Sequence, residues 1–472
     1  MNKSSNYDLP NFKALYELTA TLRELQSDYN QVHDRQKNQQ SLDAFLTWLQ
    51  ENDVGTTDLV IKETSNTGFG VFAQNEIQIN KTIVQVPLSM MITSIPSTPV
   101  LENIVKSDML LSSVPMNTLI LQLLIEDSNR ESFWRPYLDI LPEQFTLPMY
   151  FNPDQMNLLK HSSILQDAIK DNFNSVRQYL HFSRLLFLKY KLIANPHFTF
   201  ERFQWARAIC LTRQNPIFRS NPENQQESHL ALIPLYDMFN HSNGTVTSFY
   251  DMNNSMLEMK SQFDVKIGDE ILMTYGARSN QELFLYSGFV DQDTIENDYI
   301  KLSVMIPAND TCAQDRKDLL SKFGLTIGEK INLRHGEPLT SSPKLFSFLY
   351  GLLIGKEELK KSLIDKSFTA SDSLNQKCKT WLIIKIRVML KGLKQMKLLC
   401  CELMASSHLS KSNCQVVCKG EASEKTDSKK ANMETLVSKE TNLETGCIKL
   451  IHSLAKVEIQ LLETFLLSLN KA

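Results

Sequence analysis

Apolar positions along the chain change their period several times, and each change marks an element boundary. Residues 11–50 are polar with a helical repeat, Leu15, Leu18, Leu22 and Leu25, and end on an apolar cluster containing Phe45, Trp48 and Leu49. That spacing predicts an N-terminal helical segment over 1–55. From Leu59 short runs of β-branched and aromatic residues follow, separated by Gly, Asn and Pro, at 59–61, 70–73 and 82–87. This is the pattern of strands and turns. Residues 100–212 return to helix-length amphipathic segments. The last of them, Phe200 to Thr212, aligns Phe203, Ala206 and Cys210 on one face and stops before Pro216. Proline lacks the N–H a helix needs and disfavours helical geometry in the residue before it. Residues 230–306 read as strands again, one of them (270–274) launched by the turn Gly268-Asp269, and the chain beyond about 310 reads as helical.

The expected fold is therefore α+β: a β-rich domain over 56–290, split by a long helical insertion at about 100–212, then a mostly α-helical lobe over 291–472. A Ser/Lys/Glu-rich stretch at about 405–445 holds few large apolar residues and is expected to be a mobile polar loop.

Composition narrows the classes. At 472 residues the chain is long for a single domain, and 42% apolar with 22% charged residues suits a globular protein. A net charge of −3 provides no field for recruiting nucleic acid as the main partner. Eight cysteines lie scattered without framework spacing, which points to free thiols in a reducing compartment. The first residues lack the apolar core of a signal peptide, and no apolar run reaches the roughly 20 residues that span a bilayer. The expectation is a monomeric cytoplasmic protein without a membrane partner, a nuclear fraction being allowed.

Candidate chemistry concentrates in a few segments. Leu232 to Gly244 places Asp237, Asn240 and His241 directly after an apolar run. Tyr275, Gly276, Arg278, Ser279 and Asn280 close the strand-like segment that follows. Gly68, Phe69 and Gly70 open an early strand, and Arg213, Gln214 and Asn215 end the last inserted helix. Taken singly, each has a structural reading. An Asn-His pair caps a strand, Gly-x-Gly makes a turn, Arg213 complements a helix end, and Tyr275 is a half-buried strand aromatic.

Taken together and in order, these segments resemble the conserved blocks of SET-domain protein methyltransferases. The likeness is to the large non-histone branch, which includes Rubisco lysine methyltransferases and actin-histidine methyltransferases, and is greater to the latter. Phe133 to Pro142 and Leu147 to Phe151 resemble that branch's insertion; the likeness runs from roughly residue 10 to 360. It implies S-adenosylmethionine as cofactor, a protein substrate (actin foremost), and an Asn-His segment threaded through a loop of the chain, an exception to the usual unknotted path. Cofactor contacts are implied for Thr67, Gly68, Phe69, Arg213, Asp237, Asn240, His241, Ser287 and Phe289. Tyr275 is implied as the catalytic hydroxyl, and Gln214, Asn215, Tyr236 and Arg278 as substrate contacts.

Methyl transfer is an in-line displacement, helped by alignment and a dry polar setting. A phenol of pKa about 10 orients better than it titrates, so Tyr275 is expected to position the acceptor nitrogen. A lysine must first lose a proton, at roughly 4–5 kcal/mol at pH 7, whereas a histidine of pKa about 6.5 is already mostly neutral. An amide such as that of Asn215 can bind one ring nitrogen and leave the other's lone pair free. As simple Asn-Pro turn chemistry, the same residue would favour a lysine acceptor.

The chain departs from the pattern at Tyr236, where the histidine enzymes carry tryptophan, at Asn38, where the family has an arginine, and at Thr67, which replaces an acidic residue. Only Cys312 follows Tyr275 within forty residues, so the zinc cluster of many SET enzymes is not expected and no metal is assigned. Three readings remain: a protein-histidine methyltransferase, a protein-lysine methyltransferase of the same fold, and a non-catalytic scaffold that binds partners through its helical lobe.

Overall fold

A computed structural model describes residues 7–29, 39–64, 68–190, 198–220, 226–244, 248–326, 328, 330–337, 343–364, 370–417 and 427–471. Two compact units emerge, one from 17–145 with 174–277, the other from 1–16, 146–173 and 278–472.

Among the described residues, the first unit holds ten short strands and the helices between them. β1 (Leu59–Thr64) and β2 (Gly68–Ala73) form an antiparallel hairpin in which Thr64 faces Gly68. Gly68 has φ 76°, a left-handed conformation that glycine adopts without a Cβ clash. β3 (Thr82–Pro87) and β4 (Ile92–Thr93) follow, and after the inserted helices come β5 (Asn215–Ser220), β6 (Gln226–Leu232) and β7 (Asn240–His241). β8 (Ser248–Asp251), β9 (Met256–Lys260) and β10 (Leu272–Met273) complete the set. They pair as small sheets in the orders β3-β9-β8 and β4-β6-β5, while β7 and β10 pair in parallel, Asn240 with Leu272 and His241 with Met273. Parallel neighbours need a crossover between them, and β8, β9 and the turn at Gly268 supply it.

Among the inserted helices, Pro115–Ser128 is buried on nearly all sides, Asn117 through Leu124 being inaccessible, as an interior helix requires. It packs on the helix Phe200–Arg213. That helix starts where the sequence predicts: Thr199 caps it by accepting from the Arg202 N–H at 3.2 Å. It ends one residue later than expected, just before Pro216. Phe203, Ala206 and Cys210 all lie in the core, beside Val71, Val86, Leu232 and Phe239.

The second unit is mostly helical, with one antiparallel pair, β11 (Tyr299–Ser303) and β12 (Lys330–Arg334). Its core gathers Phe151, Ile164, Phe284, Ile300, Leu320, Phe348, Leu382 and Leu461. Segments 146–173 and 278–290, expected to belong with the strands, contribute Phe151, Met156, Ile164 and Phe284 to this core instead, which is why the compact units divide the chain differently from the sequence pattern. The expected loop at about 405–445 also differs. Helices Asp372–Val417 and Asp427–Lys471 run into it from both sides, and residues 418–426 lie outside the described residues. Polar composition argues against a buried core, but a proline-free stretch rich in Lys and Glu keeps helix propensity.

Candidate functional site

The site is built on the short segment that follows β6. Leu235 has φ 69° and ψ −52°, and the Tyr236 N–H donates to the Pro234 carbonyl at 2.8 Å, which closes a γ-turn. That conformation is strained for a residue with a side chain. It bends the chain so that Tyr236, Asp237 and Met238 form a single helical turn leading into β7.

Asp237 is held from two directions. The Arg213 Nη1 donates to its main-chain carbonyl at 2.6 Å and lies 3.4 Å from Oδ1. The Tyr137 hydroxyl, from the short helix Arg135–Leu138 of the insertion, donates to Oδ2. The carboxyl is only 1% exposed. Burial raises its pKa to about 6, outweighing the opposing pull of Arg213 and then of the Tyr137 hydrogen bond. Burial likewise pushes the Tyr137 phenol well up.

Asn240 donates through Nδ2 to the Glu270 carboxylate at 2.7 Å and, at the limit of bonding, to the Phe69 carbonyl at 3.5 Å. Gly70 makes room for this pair: a Cβ there would stand 2.5 Å from Glu270 Oε1 and 3.0 Å from Asn240 Nδ2. Tyr275 leans on His241, the ring centroids being 4.9 Å apart. Its N–H donates to His241 Nδ1 at 3.2 Å and its hydroxyl to the Phe239 carbonyl at 2.9 Å. His241 thus uses Nδ1 as an acceptor, the role of a positioned ring rather than of a base facing substrate. Tyr236 is buried and shares a 2.7 Å hydrogen bond with the Ser248 hydroxyl; burial raises its pKa. Asn215 opens β5 and donates through Nδ2 to the Arg213 carbonyl at 3.0 Å.

Arg213, Gln214, Asn215, Tyr236, Asp237, Asn240, His241, Tyr275, Gly68 and Phe69 all belong to this unit. Arg278, Ser287 and Phe289 belong to the other, where Arg278 is exposed and the Gly288 carbonyl between the latter two accepts from the Thr146 hydroxyl at 2.7 Å. Thr67, and Asn38 with the nearby Arg35, lie outside the described residues. Sequence reasoning passed over Glu270, Ser248 and the role of Tyr137. The segment Trp134 to Leu141, which also carries Arg135 and Asp139, gave no local signal beyond the general one that a phenol, once buried, needs a partner.

A fold of small sheets around a parallel Asn-His strand, with a tyrosine hydroxyl hung beside it, defines the SET class. Residues 68–276 match the family model described as SET domain, and the chain has the SET-domain fold. Among curated relatives, actin-histidine N-methyltransferase of Gallus gallus is 30% identical over 387 residues, 79% of this chain and 64% of the relative. The enzyme of the same description from Xenopus tropicalis is 30% identical over 387 residues, 79% of this chain and 66% of that one. The chain therefore spans slightly under two thirds of the length of these relatives. The solved SET domain of LSMT bound to lysine and AdoHcy superposes with a TM-score of 0.61 at 19% identity, covering 91% of each chain, and so shares the fold. No described helix is long and apolar enough to cross a membrane.

Proposed function

We propose that this chain is an S-adenosylmethionine-dependent protein-histidine N-methyltransferase whose substrate is actin or an actin-like protein. The observation that carries the reading is the Tyr275 hydroxyl, tied to the Phe239 carbonyl directly before Asn240 and His241. A phenol so held can orient an acceptor nitrogen without titrating. The names of the relatives supply the acceptor and the substrate.

The donor set fits the cofactor. The Arg213 Nε is buried without a hydrogen-bond partner, and so is Gln214 Oε1, next to an Asn-His strand and a glycine-opened hairpin. Arg213, Asn240, His241, Gly68 and Phe69 would hold the group, and Asp237, whose carboxylate is taken by Tyr137 and whose carbonyl by Arg213, would act there by bracing Arg213. When bound, it supplies a methyl group on a sulfonium. Arg213 keeps a guanidinium edge for a carboxylate while Nη1 braces the turn. We place Thr67, Ser287 and Phe289 as further contacts to the cofactor, and Arg278 and Gln214 as contacts to the protein substrate.

For the acceptor, the Asn215 amide is tethered by Nδ2, which leaves Oδ1 to accept an imidazole N–H and expose the opposite ring nitrogen. The same tether resembles an ordinary turn bond, and on that observation a lysine acceptor is the second reading. We place the protein in the cytoplasm as a monomer. Labelled methyl donor, purified actin and mass-spectrometric location of the mark decide between them. Label on histidine is expected; label on lysine replaces the first reading by the second, and no transfer to any lysate protein leaves a binding scaffold.

A further inference from the structure

We propose that Tyr137 is a positioning residue for methyl transfer: from the inserted helices it fixes the strained turn whose Phe239 carbonyl holds the Tyr275 hydroxyl. The inference rests on the reading of Tyr275 given above and deepens it.

The short helix that carries Tyr137 is itself pinned. Trp134 Nε1 donates to the Met90 carbonyl at 2.9 Å, and Arg135 Nη2 donates to the carbonyls of Asp127 and Asn129 at 2.9 and 2.5 Å. The Tyr137 ring is wholly buried and packs 6.2 Å from Phe45, centroid to centroid, so its hydroxyl is a fixed point. The opposite partner is not intrinsically rigid. Leu235 sits at φ 69°, a conformation that persists only where the surroundings over-determine it. Asp237 is gripped twice from outside, by Arg213 on its carbonyl and by Tyr137 on its carboxylate, while Ser248 holds the neighbouring Tyr236 hydroxyl. Two residues further on, the Phe239 carbonyl accepts the Tyr275 hydroxyl at 2.9 Å. Loss of the Tyr137 hydroxyl leaves one grip, lets the turn relax, and carries the acceptor of the Tyr275 hydroxyl with it.

Electrostatics agree with the geometry. The groups facing Asp237 are the Arg213 guanidinium and the Tyr137 phenol, with the buried Cys210 thiol beside Tyr137. Burial keeps both the phenol and the thiol neutral, so Arg213 supplies the positive charge and Tyr137 the direction.

The test is Tyr137→Phe in the full chain, read by steady-state kinetics and by a denaturation double-mutant cycle with Tyr275→Phe. The expected result is a kcat lowered roughly ten- to hundredfold, as sub-ångström misplacement produces, with KM for methyl donor and protein substrate changed little. The cycle should be non-additive, because both hydroxyls grip one turn. An unchanged kcat, or strict additivity, overturns the proposal. Should Tyr137→Phe fail to fold, adding Asp237→Asn removes the stranded buried charge; a kcat lower in the double variant than in Asp237→Asn alone supports the proposal, and an equal kcat overturns it. If the unsubstituted chain transfers no methyl group, the functional reading falls by itself, and the cycle alone then decides the link between the two tyrosines.

Discussion

Replacing Gly70 by alanine tests the proposed cofactor wall at a tight point. The new methyl would stand 2.5 Å from Glu270 Oε1, 3.0 Å from Asn240 Nδ2 and 3.2 Å from Thr64 Cγ2. Glu270 is the flexible end of a half-buried side chain, so the overlap itself is relieved cheaply by rotation. What rotation gives up is the 2.7 Å hydrogen bond from Asn240. A hydrogen bond to a charged group contributes about 1.5–3 kcal/mol when buried, and solvent screening at this half-exposed pair reduces it to roughly 1–2 kcal/mol. The contact of Asn240 to the Phe69 carbonyl, at 3.5 Å, is too long to replace that bond. If Asn240 holds the cofactor, affinity should fall about 5- to 30-fold. Calorimetric binding of S-adenosylhomocysteine is the better readout. Global stability moves less, because alanine in a strand regains about 0.5–1 kcal/mol through the unfolded chain. Glu270→Gln, which keeps an acceptor for Asn240, should retain most of the affinity. Wild-type affinity in Gly70→Ala would refute the role given to the Asn240–Glu270 pair.

Further outcomes follow from the same geometry. Tyr275→Phe should lower turnover by about two orders of magnitude or more and leave cofactor affinity nearly intact; a variant with full turnover removes the hydroxyl from the mechanism. Asn215→Phe should shift the acceptor from histidine toward lysine, measured on matched peptides, and an unchanged preference refutes its selecting role. Asp237, with its pKa raised from an ordinary 3.8 to about 6, contributes stability that is fully present below pH ~4 and lost as pH rises through 6. Denaturation of the wild type against Asp237→Asn should show that loss, up to about 3 kcal/mol, in the wild type alone. Parallel stability–pH curves would exclude the buried titration.

Much of this was legible in the chain because it depends on local periodicity. The helix Phe200–Arg213 could be bounded by Thr199 and Pro216, and β1, β2 and β3 by their β-branched runs, since caps, proline and strand alternation act over a few residues. The blocks around Asp237, Asn240, His241 and Tyr275 were legible through their resemblance to SET-domain sequences. The partner of Asp237 was not, because Tyr137 lies a hundred residues away and nothing local distinguishes it from a core aromatic. Residues 405–417 and 427–445, read as loop from composition, continue two long helices, since lack of apolar residues rules out burial and not helix.

By itself, then, the sequence determined the class of fold and the order of the segments in which the candidate chemistry lies. Periodicity, turn residues and motif order are written along the chain. Only the tertiary structure decided what each polar group is doing. It gave the Asp237 carboxylate to Tyr137, one edge of Arg213 to the main chain, Asn240 to Glu270, and the Tyr275 hydroxyl to Phe239. Those partners are chosen by burial and by hydrogen-bond satisfaction among residues distant in sequence, and buried polar groups must find a partner wherever folding places one.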